Sequence, residues 1–373
     1  MWFVAAALAQ DPDPKPDVTV NGYVEGYYSW NFNRPENGVT NLRGFDNRAE
    51  TLSLSNVALG VTGERGPVKA HATFQAGLTP NTYTLAETSR AATGGVGETD
   101  RFTWRLVQQA WVAWAASDTV TAEAGLFLSP IGPESMGVKD NWNFSRSNQF
   151  FGLPFYHTGA RIGWQASEAV KLTIAGYNGW NTVVDNNRAK SVSLQLNVTT
   201  GAWTGSVLYF GGIERNPGAT EGAPWRNSLD TWWQLDANDR WSFLVHANGG
   251  LESNQLGTSR WGATAGYVRY AAVPEKLYVV ARGDVFAEVA PIGASTIFWP
   301  ATDDAGLARV AEGTLTLDWR PTPGLSVRLE GRHDDANVPM FFDSSVTTDP
   351  VSGADIPDAR AQDTLTAGVV AWF

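Results

Sequence analysis

The chain has 373 residues, 43% of them hydrophobic and only 17% charged, with 38 glycines and 17 tryptophans, a composition rich in aromatics and poor in charge for a soluble enzyme. It contains no cysteine, which excludes disulfides, thiol chemistry and cysteine-based zinc sites. A formal net charge of -11 argues against a nucleic-acid surface, because phosphate binding relies on a basic face.

The chain opens on "MWFVAAALAQ", whose small-residue pattern Ala7-Leu8-Ala9 precedes signal-peptidase cuts. Residues 1–9 therefore read as an export signal, a truncated one because it is short and lacks basic residues; the alternative is a frayed apolar terminus. Residues 10–17 read as a Pro-rich periplasmic leader containing "DPDPKPD". Nowhere does an apolar run approach the ~18 residues of a membrane-spanning helix.

From Val18 the dominant period is two, the signature of strands. About sixteen are predicted, from Val18–Phe32 and Ala49–Glu64 through Arg101–Ala116 and His157–Ser167 to Arg360–Phe373. Val192, Leu194, Leu196 and Val198 share one face of a strand. Leu325, Val327 and Leu329 oppose Ser326, Arg328, Glu330 and Arg332, and Leu315, Leu317 and Trp319 oppose Glu312, Thr314, Thr316 and Asp318. Alternation alone leaves open which face is wet, because a soluble sandwich alternates too.

The junctions decide it. Every second one is tight ("ERGPV", "ASDT", "ASEA", "TTGA", "ANDR", "AVPEK", "RPTPG"), and the intervening ones are mostly longer. That rhythm belongs to an up-and-down barrel and not to Greek-key crossovers. The expected fold is all-β: a transmembrane antiparallel up-and-down β-barrel of about sixteen strands over residues 18–373, with short periplasmic turns and long outer loops. Trp180, Trp203, Trp241, Trp319, Tyr267 and Tyr270 suit interfacial girdles; ordinary soluble-core aromatics are the alternative. The apolar phase breaks near Asn56 and near Tyr267–Tyr270, which points to bulges. The final strand, "DTLTAGVVAWF", ends on Phe373 and resembles the assembly signal of bacterial outer-membrane barrels, so the barrel-assembly machinery is an expected partner.

Three stretches carry a family resemblance: "GYVEGYYSWNFNRPENG" (Gly22–Gly38), "NWNFSRSNQFFGLPFYHTGAR" (Asn141–Arg161) and "YNGWNTVVDNNRAKSV" (Tyr177–Val192). Together they resemble the OmpL-like β-barrel porins of Gram-negative outer membranes, over the span from the first strand to Phe373. The resemblance implies a transmembrane barrel and supplies neither a substrate nor catalytic residues. Residues 129–156, the third long connection, are similar in place and length to the inward-folded third loop of general diffusion porins. Phe144, Phe150, Phe151, Phe155, Tyr156 and Trp142 would pack it, and Asn141, Asn143, Asn148 and Ser147 would supply its hydrogen bonds; a flap over the rim is the alternative.

A barrel this wide is not filled by wall side chains. The predicted inward face carries Glu25, Lys69, His71, Arg105, Glu123, Arg161, His246, Arg282, Asp284, Arg328, Glu330 and Arg332. These either set ion preference or form cross-strand ladders that stiffen the wall. Half-circumference geometry sets Arg282, Arg328 and Arg332 opposite the loop's Glu134 and Asp140, with Lys139 and Arg146 blurring the contrast. The expected pore-lining or constriction set is Glu134, Asp140, Arg146, Arg161, Arg282, Asp284, Arg328, Glu330 and Arg332. The four histidines are scattered, with no G-x-S-x-G elbow and no paired metal-ligand spacing, so no catalytic residues, metal or cofactor are expected.

The expected function is an outer-membrane porin for passive diffusion of small hydrophilic solutes or ions. A non-conducting surface barrel with adhesive or structural loops, and a lipid-modifying barrel enzyme, are the other readings. Expected partners are outer-membrane lipids, lipopolysaccharide, small hydrophilic solutes and a second copy of the chain.

Overall fold

The computed structural model describes residues 17–87, 104–185 and 187–373, so the expected export signal and nearly all of the leader lie outside the described residues. The chain runs through β1 (Asp17–Asn31), β2 (Leu52–Arg65), β3 (Val68–Ala76), β4 (Val107–Ala115), β5 (Val120–Leu128), β6 (Tyr156–Gln165), β7 (Val170–Tyr177), β8 (Ser191–Thr200) and β9 (Trp203–Ile213). It continues through β10 (Trp225–Asp236), β11 (Trp241–Asn254), β12 (Gly257–Val273), β13 (Leu277–Val289), β14 (Leu307–Thr322), β15 (Leu325–Ala336), the two-residue strands β16 (Thr347–Thr348) and β17 (Asp355–Ile356), and β18 (Ala361–Trp372).

All strands but β16 and β17 form one closed barrel of sixteen, each antiparallel to its neighbours, with β1 pairing both β2 and β18. Closure leaves no edge and satisfies the wall's backbone within the wall, which a strand in hydrocarbon requires. Reciprocal backbone bonds of 3.2 and 3.1 Å between Gly22 and Phe373 seal the seam at the tight-turn end. β16 and β17 form a small ribbon in the last long connection.

Exposure shows which face meets lipid. Leu194, Leu315, Leu317, Trp319, Leu329, Leu365, Val369 and Phe373 are exposed on the outside, while Glu312, Thr314, Thr316, Asp318, Ser326, Arg328 and Glu330 are buried inside. The polar face is thus the inner one, the reverse of a soluble protein. Outward Trp114, Trp164, Trp203, Trp241 and Trp319 stand near the tight turns, forming a girdle at that end.

Several details differ from the sequence reading. Trp180 and Tyr267 are buried within the barrel, at 7% and 5% exposure, and are not girdle residues: Trp180 lies beyond the end of β7, and Tyr267 points inward while Tyr270, three residues on, points outward beside Trp241. Near Asn56 the register with β1 shifts between Glu25 and Gly26, so Ser55 and Asn56 are both buried. A second shift falls between Ala271 and Val273. β4 begins at Val107; Arg105 therefore precedes the wall, and Arg101–Thr103 lie outside the described residues. The β11–β12 junction at the long-loop end is only Gln255–Leu256, a break in the long–short rhythm.

Candidate functional site

The segment between β5 and β6 cannot continue either strand, because Pro130, Pro133 and Pro154 lack the N–H that a ladder needs and Gly132 adopts a left-handed φ of 80°. A Ser129 N–H to Phe155 O bond of 2.9 Å closes its base. Ser147 caps the single helical turn Asn148–Phe151 by accepting from Phe150 N–H. Asn141 braces the first half, accepting from Ser135 N–H at 2.7 Å and donating back to Ser135 O at 2.9 Å.

Side chains of the wall satisfy further backbone groups of the loop. Glu330 accepts from Phe144 N–H and Ser145 N–H at 2.7 and 2.9 Å, and Glu25 accepts from Val138 N–H. Arg328 donates to Asn143 O at 2.7 Å, Arg282 to Ser145 O at 2.6 Å, and Arg332 to Arg146 O at 2.5 Å. Asp284 accepts from Asn148 N–H at 2.6 Å, and Asp230 from Gly132 N–H at 3.1 Å. The segment therefore lies inside the barrel and reaches β1, β10, β13 and β15. Two glycines permit its close approach: a Cβ at Gly368 of β18 would lie 2.3 Å from the Phe144 ring, and one in the loop at Gly152 would lie 2.0 Å from the Phe286 ring.

The loop and wall form one charge network. Arg282 pairs with Glu312 at 2.7 Å and Glu134 at 3.2 Å, Arg332 with Asp334 at 2.6 Å, and Arg328 lies 3.5 Å from Asp318. The guanidinium of Arg146 donates to Phe144 O at 3.2 Å and lies 5.0 Å from the Phe45 ring centroid. Arg282, Arg328, Arg332, Glu330 and Arg146 are each at most 5% exposed. Buried charges of this kind are held by mutual pairing and hydrogen bonds, and losing one partner is costly.

Of the nine predicted site residues, Glu134, Arg146, Arg282, Asp284, Arg328, Glu330 and Arg332 thus gather at the contact between loop and wall. Asp140 and Arg161 stand apart: Asp140 pairs with Lys139 at 2.8 Å on a solvent-facing part of the loop, and Arg161 pairs with Glu123 at 2.5 Å on the β5–β6 wall. The sequence reading missed Ser145 and Asp230 as loop fasteners; of the expected hydrogen-bonding residues, Asn143 donates to Thr316 at 2.7 Å, and Asp230 also binds His246 at 2.7 Å. Glu312, Thr316 and Asp318 were legible only as the polar face of a strand.

Three cavities border the loop. One of about 200 Å³ lies toward the tight-turn end, between Tyr23, His71, Gln108 and the loop's Lys139 and Asp140. A second of about 200 Å³ lies within the loop's base, and it shares Leu128 and Ser135 with the first. The third, about 340 Å³, opens at the long-loop mouth and shares Phe155 with the second. Glu214 lines this third cavity, and burial pushes its carboxyl above the usual carboxylate range against the opposing pull of Arg226.

One Ser–His contact occurs in this region: Ser129 Oγ lies 3.3 Å from His157 Nε2. The other ring nitrogen bonds Gly179 O at 2.9 Å, where a triad would place a carboxylate, and His157 is fully buried. Among the described residues no group of three His, Asp or Glu side chains could hold a metal ion.

A family model described as "Putative beta-barrel porin-2, OmpL-like" matches residues 17–373. No curated protein sequence matches the chain. Among solved structures, the trimer form of OmpT, an outer-membrane protein of Vibrio cholerae, superposes with a TM-score of 0.60 at 8% identity, covering 96% of this chain and 100% of that one. An anion-selective porin from Comamonas acidovorans gives 0.60 at 9% identity, with 96% and 100% coverage. The outer membrane channel DcaP of Acinetobacter baumannii gives 0.59 at 12% identity, with 96% and 97% coverage. At such identities these likenesses speak to the fold.

Proposed function

The chain belongs to the OmpL-like family of β-barrel porins and resides in the bacterial outer membrane, and on that premise we propose that it conducts small hydrophilic solutes and ions along a narrow, off-centre route. The observation that carries this reading is the uneven attachment of the inner loop, densest on β13 and β15. Its contacts with β13, β14 and β15 are buried and fastened by Arg282, Asp284, Arg328, Glu330 and Arg332, whereas its Lys139–Asp140 side is solvent-exposed and borders a cavity against β1–β4. The three neighbouring cavities, the first two sharing Leu128 and Ser135 and the last two Phe155, support this reading.

On this reading Arg282, Arg328 and Arg332 are clamps that hold the constriction and do not touch passing ions. Lys139 and Asp140 beside the route are paired with opposite charge, which favours weak ion selectivity. The long loops face outward, where lipopolysaccharide meets the rim, and the outward, exposed Phe373 is the handle for the barrel-assembly machinery. The trimer form of the Vibrio cholerae barrel supports a homo-oligomer here as well.

Reconstitution into planar bilayers tests the function. Discrete current steps of small amplitude, with a low size limit for neutral polymers, are the expected result. A folded, inserted protein that shows no steps refutes conduction and returns the account to a closed surface barrel.

A further inference from the structure

We infer that the cavity at the long-loop mouth is a binding site for a neutral saccharide, a subsite that loads the passage; this rests on the porin reading for its role, though not for its chemistry. Four long connections build it. Phe151 and Phe155 come from the inner loop, Trp180 and Asn181 from the β7–β8 connection, Glu214 and Arg215 from β9–β10, and Thr296 to Phe298 from β13–β14. Such convergence on about 340 Å³ is the scale of a small-molecule site.

One side of the cavity is apolar. Phe151, Phe155, Ile297 and Phe298 are half-buried there, and Phe298 packs against Trp180 and Trp261 with centroids 6.1 and 5.2 Å away. The other side carries amide, guanidinium, hydroxyl and carboxyl groups, donors and acceptors mixed.

The charges decide the ligand class. Arg226 donates to Glu252 at 3.0 Å, and Arg215 donates to Glu252 at 2.5 Å and stands 3.7 Å from Glu221. Glu252 and Glu221 are at most 2% exposed, so both arginines are already neutralised from behind. An anion would find no free positive charge and would meet Glu214 as well. A quaternary cation would meet the Arg215 and Arg226 guanidiniums, and the Trp180 ring, the best cation-binding face, is already occupied by Arg226 5.4 Å from its centroid. A neutral ring with hydroxyls on its edge and an apolar C–H face matches both sides, packing on the phenyl rings while the polar side hydrogen-bonds its edge.

Calorimetric titration of maltose into the full chain in detergent micelles tests the site independently of conduction. Saturable binding of one maltose per chain is expected, at least tenfold weaker in Phe298→Ala and in Thr296→Trp; the latter fills the cavity and deletes none of the ring contacts. Heats that do not saturate, equal affinity in folded variants, or tighter binding of choline or galacturonate than of maltose would overturn the inference. Binding without current steps in bilayers would leave the site standing and reject only the porin reading.

Discussion

Replacing Glu330 by Ala probes how the inner loop is held. Its carboxylate, 1% exposed, accepts from two loop N–H groups, at 2.7 and 2.9 Å, and from Thr316 Oγ1 at 2.7 Å. Hydrogen bonds to a charged group contribute about 1.5–3 kcal/mol each, so the two N–H bonds hold the loop by about 3–6 kcal/mol. Removing a buried carboxylate also relieves its desolvation, which offsets part of this. A net loss of about 2–4 kcal/mol raises the detached population of the Asn143–Arg146 segment roughly 30- to 700-fold, at tenfold per 1.4 kcal/mol. The wall ladder is backbone-to-backbone and does not use Glu330's side chain, so the barrel itself stays folded. Single-channel recording should show higher conductance and a noisier open level, while heat-dependent gel migration of the folded barrel stays near wild type. Unaltered conductance, noise and polymer size limit in a folded Glu330→Ala protein would refute the clamp.

Lys139→Glu turns a neutral exposed pair into two negative charges beside the route, and reversal potential in a salt gradient should shift toward cations; no shift would remove that side of the loop from the path. Gly368→Ala places a Cβ 2.3 Å from the Phe144 ring, so the loop must move although alanine is otherwise tolerated in a strand; conductance should change with gel migration preserved, and an identical channel would mean that the ring is loosely held. Deleting Phe373 removes an outward terminal ring and the seam bonds to Gly22, so the yield of membrane-inserted barrel should fall much more than total expression; equal insertion would count against a terminal signal.

The barrel was legible because a period of two cannot be satisfied in lipid without closure, and because tight turns alternate with long ones along nearly the whole chain. The β11–β12 junction broke the rhythm without breaking the fold, since strand pairing and not loop length fixes the neighbours. Aromatic type misled where it stood for position: Trp180 and Tyr267 look like girdle residues and point inward. For the site, strand counting set Arg282, Arg328 and Arg332 across from the loop, and in the structure each donates to a loop carbonyl. It could not show that the loop crosses the whole lumen and buries them, because that depends on side-chain-to-backbone bonds between residues far apart, such as Glu330 to Phe144. Gly368 and Gly152 were equally silent, their meaning lying in the rings that sit above them.

The central claim, that the inner loop sets the passage, is tested most directly by replacing residues 131–149 with a short Gly-Ser linker and measuring single-channel conductance and the size limit for neutral polymers in planar bilayers. The account predicts a several-fold rise in conductance and admission of larger polymers in a correctly folded barrel. Conductance and size limit equal to those of the wild-type chain would contradict it, placing the restriction at the rim and not at the loop.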